Sequence, residues 1–352
     1  MKVILPSAGK GTRLRPFSLY RSKSLLRIYS KPIIEHLFDK MKNWCDFEEI
    51  IIIISDDEFG YNTYEFLRNI YKNTSYRIQK EPKGLADAVY MGIKDIDSDI
   101  LIVLPDALYD GKFDFKEDFL AVKEVEEPKR FGIVVLENEY IIDLEEKPDN
   151  PKTNLAIAGI YYIKDSKKLK EAIEKLYEKN IKTKNEYQLT DALKILIQSD
   201  YKLKALRIDY WQDCGKIETY LETMEYILKE NGTKILSNII NSKIIEPVFI
   251  GENCIIENSI IGPFIINSKI IEPVFIGENC IIENSIIGPF VDISEGVIIK
   301  NSSIRNSIIM ENSKVLNVNI ENSIIGSNCE ISNVKGKIIL GDFGKICGAD
   351  RI

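Results

Sequence analysis

The strongest constraint on the fold is a perfect internal duplication in the second half of the chain. Residues 239–264 recur without a single substitution as residues 265–290. Within each copy an apolar residue returns every five or six positions, and Gly or Asn separates short β-branched runs. This spacing continues imperfectly to Ile325 and is too short for helix-bearing repeats, so it predicts a parallel β-helix with its apolar residues facing inward.

The chain before the duplication alternates short apolar runs with helical periodicity. Buried strands are predicted at Lys2–Leu5, Ile50–Ile54 and Ile100–Leu104. Helices are predicted to begin at Pro32 and at Leu85, where apolar residues recur at helical spacing. This order predicts an α/β domain of right-handed βαβ units around a mostly parallel sheet. We expect this domain to cover 1–232 and the β-helix to cover 233–352.

The composition argues against several classes of protein. The net charge of −7 is too acidic for a general nucleic-acid binder. No apolar run approaches the roughly 18 residues of a membrane span, and we identify no secretory signal. The six cysteines lack metal-binding spacing, so a reduced, cytoplasmic protein is expected. The single histidine, His36, excludes histidine dyads and histidine-rich metal sites.

A glycine-rich loop follows the first predicted strand. Glycines at positions 9 and 11 allow backbone N–H groups to approach phosphates, and the basic residues Arg13 and Lys23 can neutralise them. The loop is neither a Walker loop nor a dinucleotide fingerprint, because Leu14 occupies the position of the third glycine. Taken alone, this loop is equally compatible with a simple tight turn.

Further motifs follow the loop in order, and together they resemble the sugar-1-phosphate nucleotidyltransferases. They are Gly9-x-Gly11-Thr12-Arg13-Leu14-x-Pro16, Ser22-Lys23-x-Leu25-Leu26, Lys31-Pro32-Ile33-Ile34, Gln79 before Gly84-Leu85-Ala86, Asp106, Phe131-Gly132, Glu145-Glu146-Lys147-Pro148, Ala158-Gly159-Ile160-Tyr161, Gln188-Leu189-Thr190-Asp191 and Trp211-Gln212-Asp213-Cys214-Gly215. Ser22-Lys23, Gln79 and the appended repeat are most similar to the long form of glucose-1-phosphate thymidylyltransferase. The resemblance implies a Rossmann-like nucleotidyltransferase domain followed by a left-handed β-helix.

The resemblance also implies roles for individual residues. Arg13 and Lys23 would be catalytic, and Asp106 and Asp213 would bind Mg²⁺. The nucleotide-binding residues implied are Ala8, Gly9, Gly11, Thr12, Gln79 and Gly84. The sugar-phosphate-binding residues implied are Gly132, Glu146, Lys147 and Gly159. The implied reaction is attack of glucose 1-phosphate on the α-phosphorus of dTTP or UTP, giving the nucleotide sugar and pyrophosphate. Exposed β-helix faces and edges favour a homo-oligomer.

Two residues depart from the family pattern and leave alternative functions open. Pro105 replaces a glycine before Asp106, and Arg27 replaces a proline, which would add a positive charge near the phosphates. A uridylyl- or guanylyltransferase acting on another sugar 1-phosphate stays open, as does a non-catalytic regulatory protein that binds a nucleotide sugar. A second, acyltransferase activity is argued against, because related bifunctional enzymes use a histidine in the β-helix and this chain has none after His36.

Overall fold

The computed structural model describes residues 1–9, 11–19, 21–29, 31–230, 233–237, 239–244, 248–261 and 273–348. The chain forms two compact units. The sheet unit comprises Met1–Lys10 and Ile34–Gln212, and the β-helix unit comprises Gly11–Ile33 and Asp213–Ile352. The domain boundary at 232 stays a prediction, since the glycine-rich loop leaves the sheet unit and joins the β-helix unit.

The helices of the described residues all precede the strands of the β-helix. The α-helices are Ile33–Met41, Glu58–Ile70, Leu85–Ile93, Ser166–Glu178, Leu189–Ile197 and Ile217–Glu230. The 3₁₀ turns are Thr12–Leu14, Phe17–Leu19, Lys23–Leu25 and Pro128–Arg130. No helix in the described part of the chain is long and apolar enough to cross a membrane.

The sheet unit is built on a nine-stranded sheet. In spatial order its strands are Thr74–Gln79, Glu49–Ser55, Lys2–Pro6, Ile100–Val103, Leu155–Ile163, Phe119–Glu124, Lys204–Arg207, Tyr140–Glu146 and Gly132–Glu137. The first four strands run parallel. Beyond them most pairs are antiparallel, so the sheet is mixed in its second half. The α/β class and the three predicted strands are confirmed.

The apolar runs form strands because both faces of these strands are covered. Ile50–Ile54 are all at most 1% exposed, as expected of strands buried on both sides. The helix Leu85–Ile93 buries Val89 in the same core cluster as Ile4 and Ile102. Two small sheets complete the described strands outside the β-helix, pairing Arg27–Ile28 with Lys31–Pro32 and Ala107–Asp110 with Tyr210–Asp213.

The second half of the chain forms a parallel β-helix, as predicted, and its described strands lie in three sheets. The first face contains Lys234–Ile235, Val248–Ile250, Val274–Ile276, Val291–Ile293, Ser307–Ile309, Ile324–Ile325 and Ile339–Leu340. The second face contains Ile239–Ile240, Ile255–Glu257, Ile281–Glu283, Ile298–Lys300, Lys314–Leu316, Glu330–Ser332 and Lys345–Cys347. The third face contains Lys243–Ile244, Ile260–Ile261, Ile286–Ile287, Ser303–Arg305, Asn319–Glu321 and Lys335–Gly336.

The periodic apolar residues stack inward, as the spacing predicts. Ile276, Ile293 and Ile309 are neighbours on the first face and are fully buried. Asparagines at the corners adopt a positive φ, which their short polar side chains tolerate. Asn301 (φ 49°) and Asn317 (φ 54°) are examples, and their side chains are joined by a hydrogen bond of 3.1 Å. Two further predicted inward positions, 266 and 271, lie outside the described residues.

The duplicated segment stacks directly on its copy. Val248 pairs with Val274, Ile255 with Ile281, and Ile260 with Ile286, so each of these described residues lies beside its own duplicate. The coil that begins at Val248 is longer than the next one, in which Val274 pairs with Val291. The copies of the strands Ile239–Ile240 and Lys243–Ile244 fall at 265–266 and 269–270, outside the described residues.

Candidate functional site

A cavity of about 280 Å³ lies at the carboxyl ends of parallel strands in the sheet unit. Its lining residues are Pro6, Ala8, Gly9, Gln79, Pro82, Gly84, Leu85, Ala88, Leu104, Asp106 and Glu186. In open α/β sheets this edge is the usual position of ligands. The cavity brings together five of the residues singled out from the sequence: Ala8, Gly9, Gln79, Gly84 and Asp106.

The amide of Gln79 is held in one orientation. Its Nε2 donates hydrogen bonds to Asp87 Oδ2 (2.7 Å) and to the Gly84 carbonyl (3.2 Å), and the side chain is buried. Tyr177 donates to the other carboxylate oxygen of Asp87 at 2.9 Å. Because both N–H groups of the amide are used, the amide oxygen is the atom left to accept a hydrogen bond from a ligand.

Sequence reasoning missed the role of Asp87. The residue lies in the first turn of the helix Leu85–Ile93, where an acidic side chain is ordinarily explained by the helix dipole. Its burial, with only 5% of its surface exposed, distinguishes it from such a residue. The only signal in the sequence is its spacing, eight positions after Gln79.

Gly84 shapes the wall of the cavity. Its backbone has φ 122°, and a Cβ there would lie 2.4 Å from the Tyr187 carbonyl oxygen. The same carbonyl accepts the N–H of Ala86 at 3.0 Å. A side chain at position 84 would therefore push apart the start of the helix and the segment that carries Glu186, which also lines the cavity.

Asp106 follows the strand Ile100–Val103 and lines the cavity from a half-buried position. Pro105 before it is buried. Gly159, which the resemblance assigns to the sugar phosphate, lies beside the same wall, since its carbonyl accepts the Leu104 N–H at 3.0 Å. The cavity wall and the end of this strand are thus held by the neighbouring strand Leu155–Ile163.

A second cluster in the sheet unit surrounds Glu146. Thr190 donates to Glu146 Oε2 at 2.6 Å, and the Lys147 ammonium lies 2.9 Å from Oε1. Gly132 pairs with Glu146 across the antiparallel ladder, and a Cβ on it would lie 2.7 Å from Thr190 Oγ1. The structure therefore brings together Gly132, Glu146 and Lys147. Thr190 belongs to a motif noted in the sequence, but its contact with Glu146 was not foreseen.

A third cluster belongs to the β-helix unit. Lys23 begins the 3₁₀ turn Lys23–Leu25, and its ammonium lies 3.3 Å from Asp213 Oδ1. Both side chains are mostly buried, being 13% and 25% exposed. Thr12 and Arg13 are exposed in the turn Thr12–Leu14, which Gly11 precedes with φ 57°. The residues expected to bind the triphosphate are therefore distributed over both units.

The described residues contain no group of three or more His, Cys, Asp or Glu side chains placed to hold a metal ion. Mg²⁺ needs fewer protein ligands, because it is commonly bound by one or two carboxylates together with substrate phosphates. The donor set expected from the sequence, two carboxylates, has this chemistry. Asp106 and Asp213 therefore stay a prediction as metal ligands.

The positive charge of Arg27, expected near the phosphates, is paired with a carboxylate of the β-helix unit. Its guanidinium pairs with Glu295 Oε1 of the β-helix at 2.7 Å. The partner lies 268 positions away in the chain, so no local pattern could reveal it. The pairing accounts for a basic residue at this position.

Comparison with known proteins finds a matching family model and several relatives. The family model described as "Nucleotidyl transferase" matches residues 2–230. The bifunctional protein GlmU of Methanocaldococcus jannaschii is 37% identical over 323 residues, which is 90% of this chain and 74% of that protein. The UTP–glucose-1-phosphate uridylyltransferase AglF of Haloferax volcanii is 28% identical over 249 residues, which is 65% of this chain and 98% of AglF.

Solved structures share the fold. A UDP-glucose pyrophosphorylase complexed with UDP-glucose superposes with a TM-score of 0.56 and 26% identity, covering 65% of this chain and 99% of that one. A putative glucose-1-phosphate thymidylyltransferase from Bacillus anthracis gives a TM-score of 0.57 at 25% identity, covering 66% and 97%.

Proposed function

We propose, since the chain belongs to the nucleotidyl transferase family, that it transfers a nucleotidyl group from UTP or dTTP to a sugar 1-phosphate. The product is a nucleotide sugar, and pyrophosphate is released. The proposed choice of base rests on one observation, the fixed orientation of the Gln79 amide in the cavity.

The amide oxygen of Gln79 is an acceptor, so it favours a base that presents an N–H donor. Uracil and thymine present N3–H, whereas cytosine and adenine present a bare ring nitrogen at the equivalent edge. Reversing the amide would aim its N–H groups at the ligand, but it would take the donor away from Asp87 Oδ2 and set the amide oxygen against that carboxylate oxygen. Because unpaired buried polar groups are costly, this reversal is disfavoured.

UTP is the first candidate for the donor. The relatives AglF and UDP-glucose pyrophosphorylase carry names that refer to uridine nucleotides, which favours a pyrimidine over guanine, whose ring N–H the amide would also accept. The second candidate is dTTP, which is supported by Ser22-Lys23 and by the fold shared with the putative thymidylyltransferase. The sugar is glucose in the names of several of these relatives, and glucose 1-phosphate is the acceptor that we propose.

The proposed chemistry needs positioning and charge neutralisation rather than a general base. A phosphate oxygen of the sugar 1-phosphate, already anionic, attacks the α-phosphorus in line, and the bond to the bridging oxygen of pyrophosphate breaks. Arg13 and Lys23 bind the triphosphate and balance the charge on the leaving group. Lys147 binds the sugar phosphate, and Glu146, oriented by Thr190, accepts hydrogen bonds from sugar hydroxyls.

Asp106 and Asp213 are the residues that would hold Mg²⁺, which supplies charge neutralisation at the phosphate oxygens when bound. The ammonium of Lys23 lies beside Asp213 and balances part of its negative charge. Lys23 would therefore contact both the triphosphate and the proposed metal ligand Asp213.

The experiment is a pyrophosphate-release assay with each of the five nucleoside triphosphates UTP, dTTP, CTP, GTP and ATP, combined with several hexose 1-phosphates. We expect turnover with UTP and dTTP and poor turnover with the other three. In Gln79→Met, which keeps the length and removes the acceptor, we expect KM for UTP to rise about tenfold or more. Gln198→Met, at an exposed position, is the matched control.

Two outcomes would contradict the proposal. Faster turnover with GTP than with UTP and dTTP would favour a guanylyltransferase. Binding of a nucleotide sugar with no turnover of any pair would favour the regulatory alternative.

A further inference from the structure

The β-helix carries a column of polar side chains, most of them acidic, along one corner. On the first face Ile293 pairs with Ile309 and Ile308 with Ile324, and each strand is followed two residues later by a polar corner position. Four successive corner positions are Glu295, Glu311, Ser327 and Asp342. We call these four residues the acidic column. Its regular spacing provides a row of acceptors one coil apart.

Arg21 spans three coils of this column. Its guanidinium donates to Glu311 Oε1 (3.2 Å), to Ser327 Oγ (2.8 Å) and to Asp342 Oδ2 (2.9 Å). The Asp342 side chain is 1% exposed, and its second oxygen accepts the Ser327 N–H at 2.9 Å. Burial acts to lower the pKa of Arg21, but the carboxylates of Asp342 and Glu311 outweigh it, so the pKa is raised.

Two further contacts hold the same chain segment. Arg27 pairs with Glu295 at 2.7 Å. The Tyr29 N–H donates to Asp292 Oδ2 at 2.5 Å, and the Tyr29 ring lies with its centroid 4.0 Å from that of Phe275. Between residues 21 and 29 the segment is thus attached to the β-helix at three points.

The attached segment also carries Lys23, two positions after Arg21 and 3.3 Å from Asp213. We propose that Arg21 is a positioning residue for nucleotide binding: through the acidic column, the β-helix fixes the backbone that presents Lys23 to the triphosphate. This inference rests on the proposed function, because it takes Lys23 as a triphosphate contact.

The contacts of Arg21 suit a role in positioning the backbone better than a role in stabilising the fold. A buried ion pair often contributes little net stability, because both charges lose their hydration. The planar guanidinium can donate to three acceptors in fixed directions, which defines the position and the orientation of the backbone at residue 21. A lysine has one compact ammonium and cannot reproduce this geometry.

The test compares Arg21→Lys and Arg21→Met with the parent. We expect KM for the nucleoside triphosphate to rise about tenfold or more, because Lys23 loses its fixed position. KM for the sugar 1-phosphate should stay within about twofold. Arg207→Lys is the matched control, since Arg207 makes an exposed pair with Glu124 at 2.8 Å in the sheet unit. It should leave both constants unchanged.

A second variant tests the partner. Asp342→Asn should raise KM for the triphosphate in the same way, and the double variant Arg21→Met with Asp342→Asn should be no worse than the more affected single variant. Hydrogen exchange should become faster in peptides that cover residues 21–29 in each variant, while peptides of the β-helix strands keep their protection.

The outcomes separate this inference from the proposed function. If the parent turns over no substrate pair, the proposed function fails, and hydrogen exchange alone reports on the attachment. If the parent is active and the Arg21 variants fold with both KM values unchanged, Arg21 is structural only and the inference is overturned. Equal rises in both KM values would overturn it as well, since the effect would not be specific to the nucleotide.

Discussion

At the scale of single residues, the proposed metal ligands give the first prediction. Asp106→Asn and Asp213→Asn should each abolish metal-dependent nucleotidyl transfer, because a carboxamide keeps the shape of the side chain but loses the charge that binds Mg²⁺. The measurement is pyrophosphate release across a Mg²⁺ titration, with circular dichroism to show that the fold is retained.

A control for this pair is Asp114→Asn, which changes an exposed aspartate of the sheet unit. It should leave the Mg²⁺ dependence unchanged. Near-normal turnover in both Asp106→Asn and Asp213→Asn would refute the metal assignment.

Asp292 gives a prediction about pH. Burial raises its pKa to about 7, and the negative charge of Glu295 acts in the same direction, while the hydrogen bond from the Tyr29 N–H acts against it. Its Oδ1 has no hydrogen-bond partner among the described residues. Because the folded protein holds this proton more tightly than the unfolded chain, the contribution of Asp292 to the free energy of unfolding should fall as pH rises from about 4 to about 7.

Asp292→Asn should remove this fall, because the carboxamide is neutral throughout and still accepts the Tyr29 N–H. We therefore expect the variant to melt a few degrees above the parent at pH 8, with a smaller difference between pH 5 and pH 8. Thermal melts at both pH values provide the measurement, with Asp114→Asn as the exposed control. An Asp292→Asn variant that keeps the pH dependence of the parent would contradict the assignment.

A functional residue can be predicted from the sequence when the pattern that marks it lies in one stretch of the chain. Gln79 was identified by its type and its spacing from Gly84, but its orientation depends on Asp87 and Tyr177. The ion pair of Arg27 was not predicted, because its partner, Glu295, comes from a different part of the chain. The residue types of a motif are visible in the sequence. The hydrogen-bond partners that come from distant parts of the chain are not.

At the scale of elements, the predicted strands correspond to the observed ones within a residue or two at each end. The strand Glu49–Ser55, for example, contains the predicted Ile50–Ile54. The antiparallel half of the sheet was not predicted, because its pairing joins segments such as Phe119–Glu124 and Leu155–Ile163, which show no signal of direction in their sequences. An apolar run identifies a strand but leaves the neighbour of that strand undetermined.

The junction of two strands and a helix around Glu146 gives a prediction at this scale. Gly132→Ala should place a methyl group 2.7 Å from Thr190 Oγ1 and 2.9 Å from Glu146 Oε2. The helix Leu189–Ile197 or the strand must then shift, and KM for the sugar 1-phosphate should rise about tenfold while KM for the triphosphate changes little.

The control for this substitution is Ser199→Ala, at an exposed position just after the same helix. It should leave both KM values at the parent level. A rise in KM for the triphosphate alone in Gly132→Ala would place Glu146 outside the sugar site.

At the scale of the whole molecule, we predict that one copy of the duplicated segment can be removed without disturbing the stacking of the remaining coils. Deleting residues 265–290 places Phe264 directly before Val291, where Phe290 stands in the parent. Val248–Ile250 would then stack on Val291–Ile293 as Val274–Ile276 does now. We expect a folded, active enzyme with a shorter β-helix, and turnover within about twofold of the parent, because solenoid stability is roughly a sum over neighbouring units.

Turnover, melting temperature and solution mass of the deletion are the measurements. The control deletes 265–277, half of the repeat, which breaks the register and should prevent the β-helix from forming. A folded full-repeat deletion without turnover would show that the extra coil supports the active site.

The direct stacking of the two copies has a consequence for the history of this β-helix. Removing either copy yields the same polypeptide, and inserting another yields one more coil with the same joints. Recombination between the two identical stretches of the gene would therefore produce variants of different length. In all of them Phe would directly precede Val where the last copy ends. Natural variation in the length of this protein is thus expected to occur in whole copies of the segment 265–290, with one copy lost or one gained.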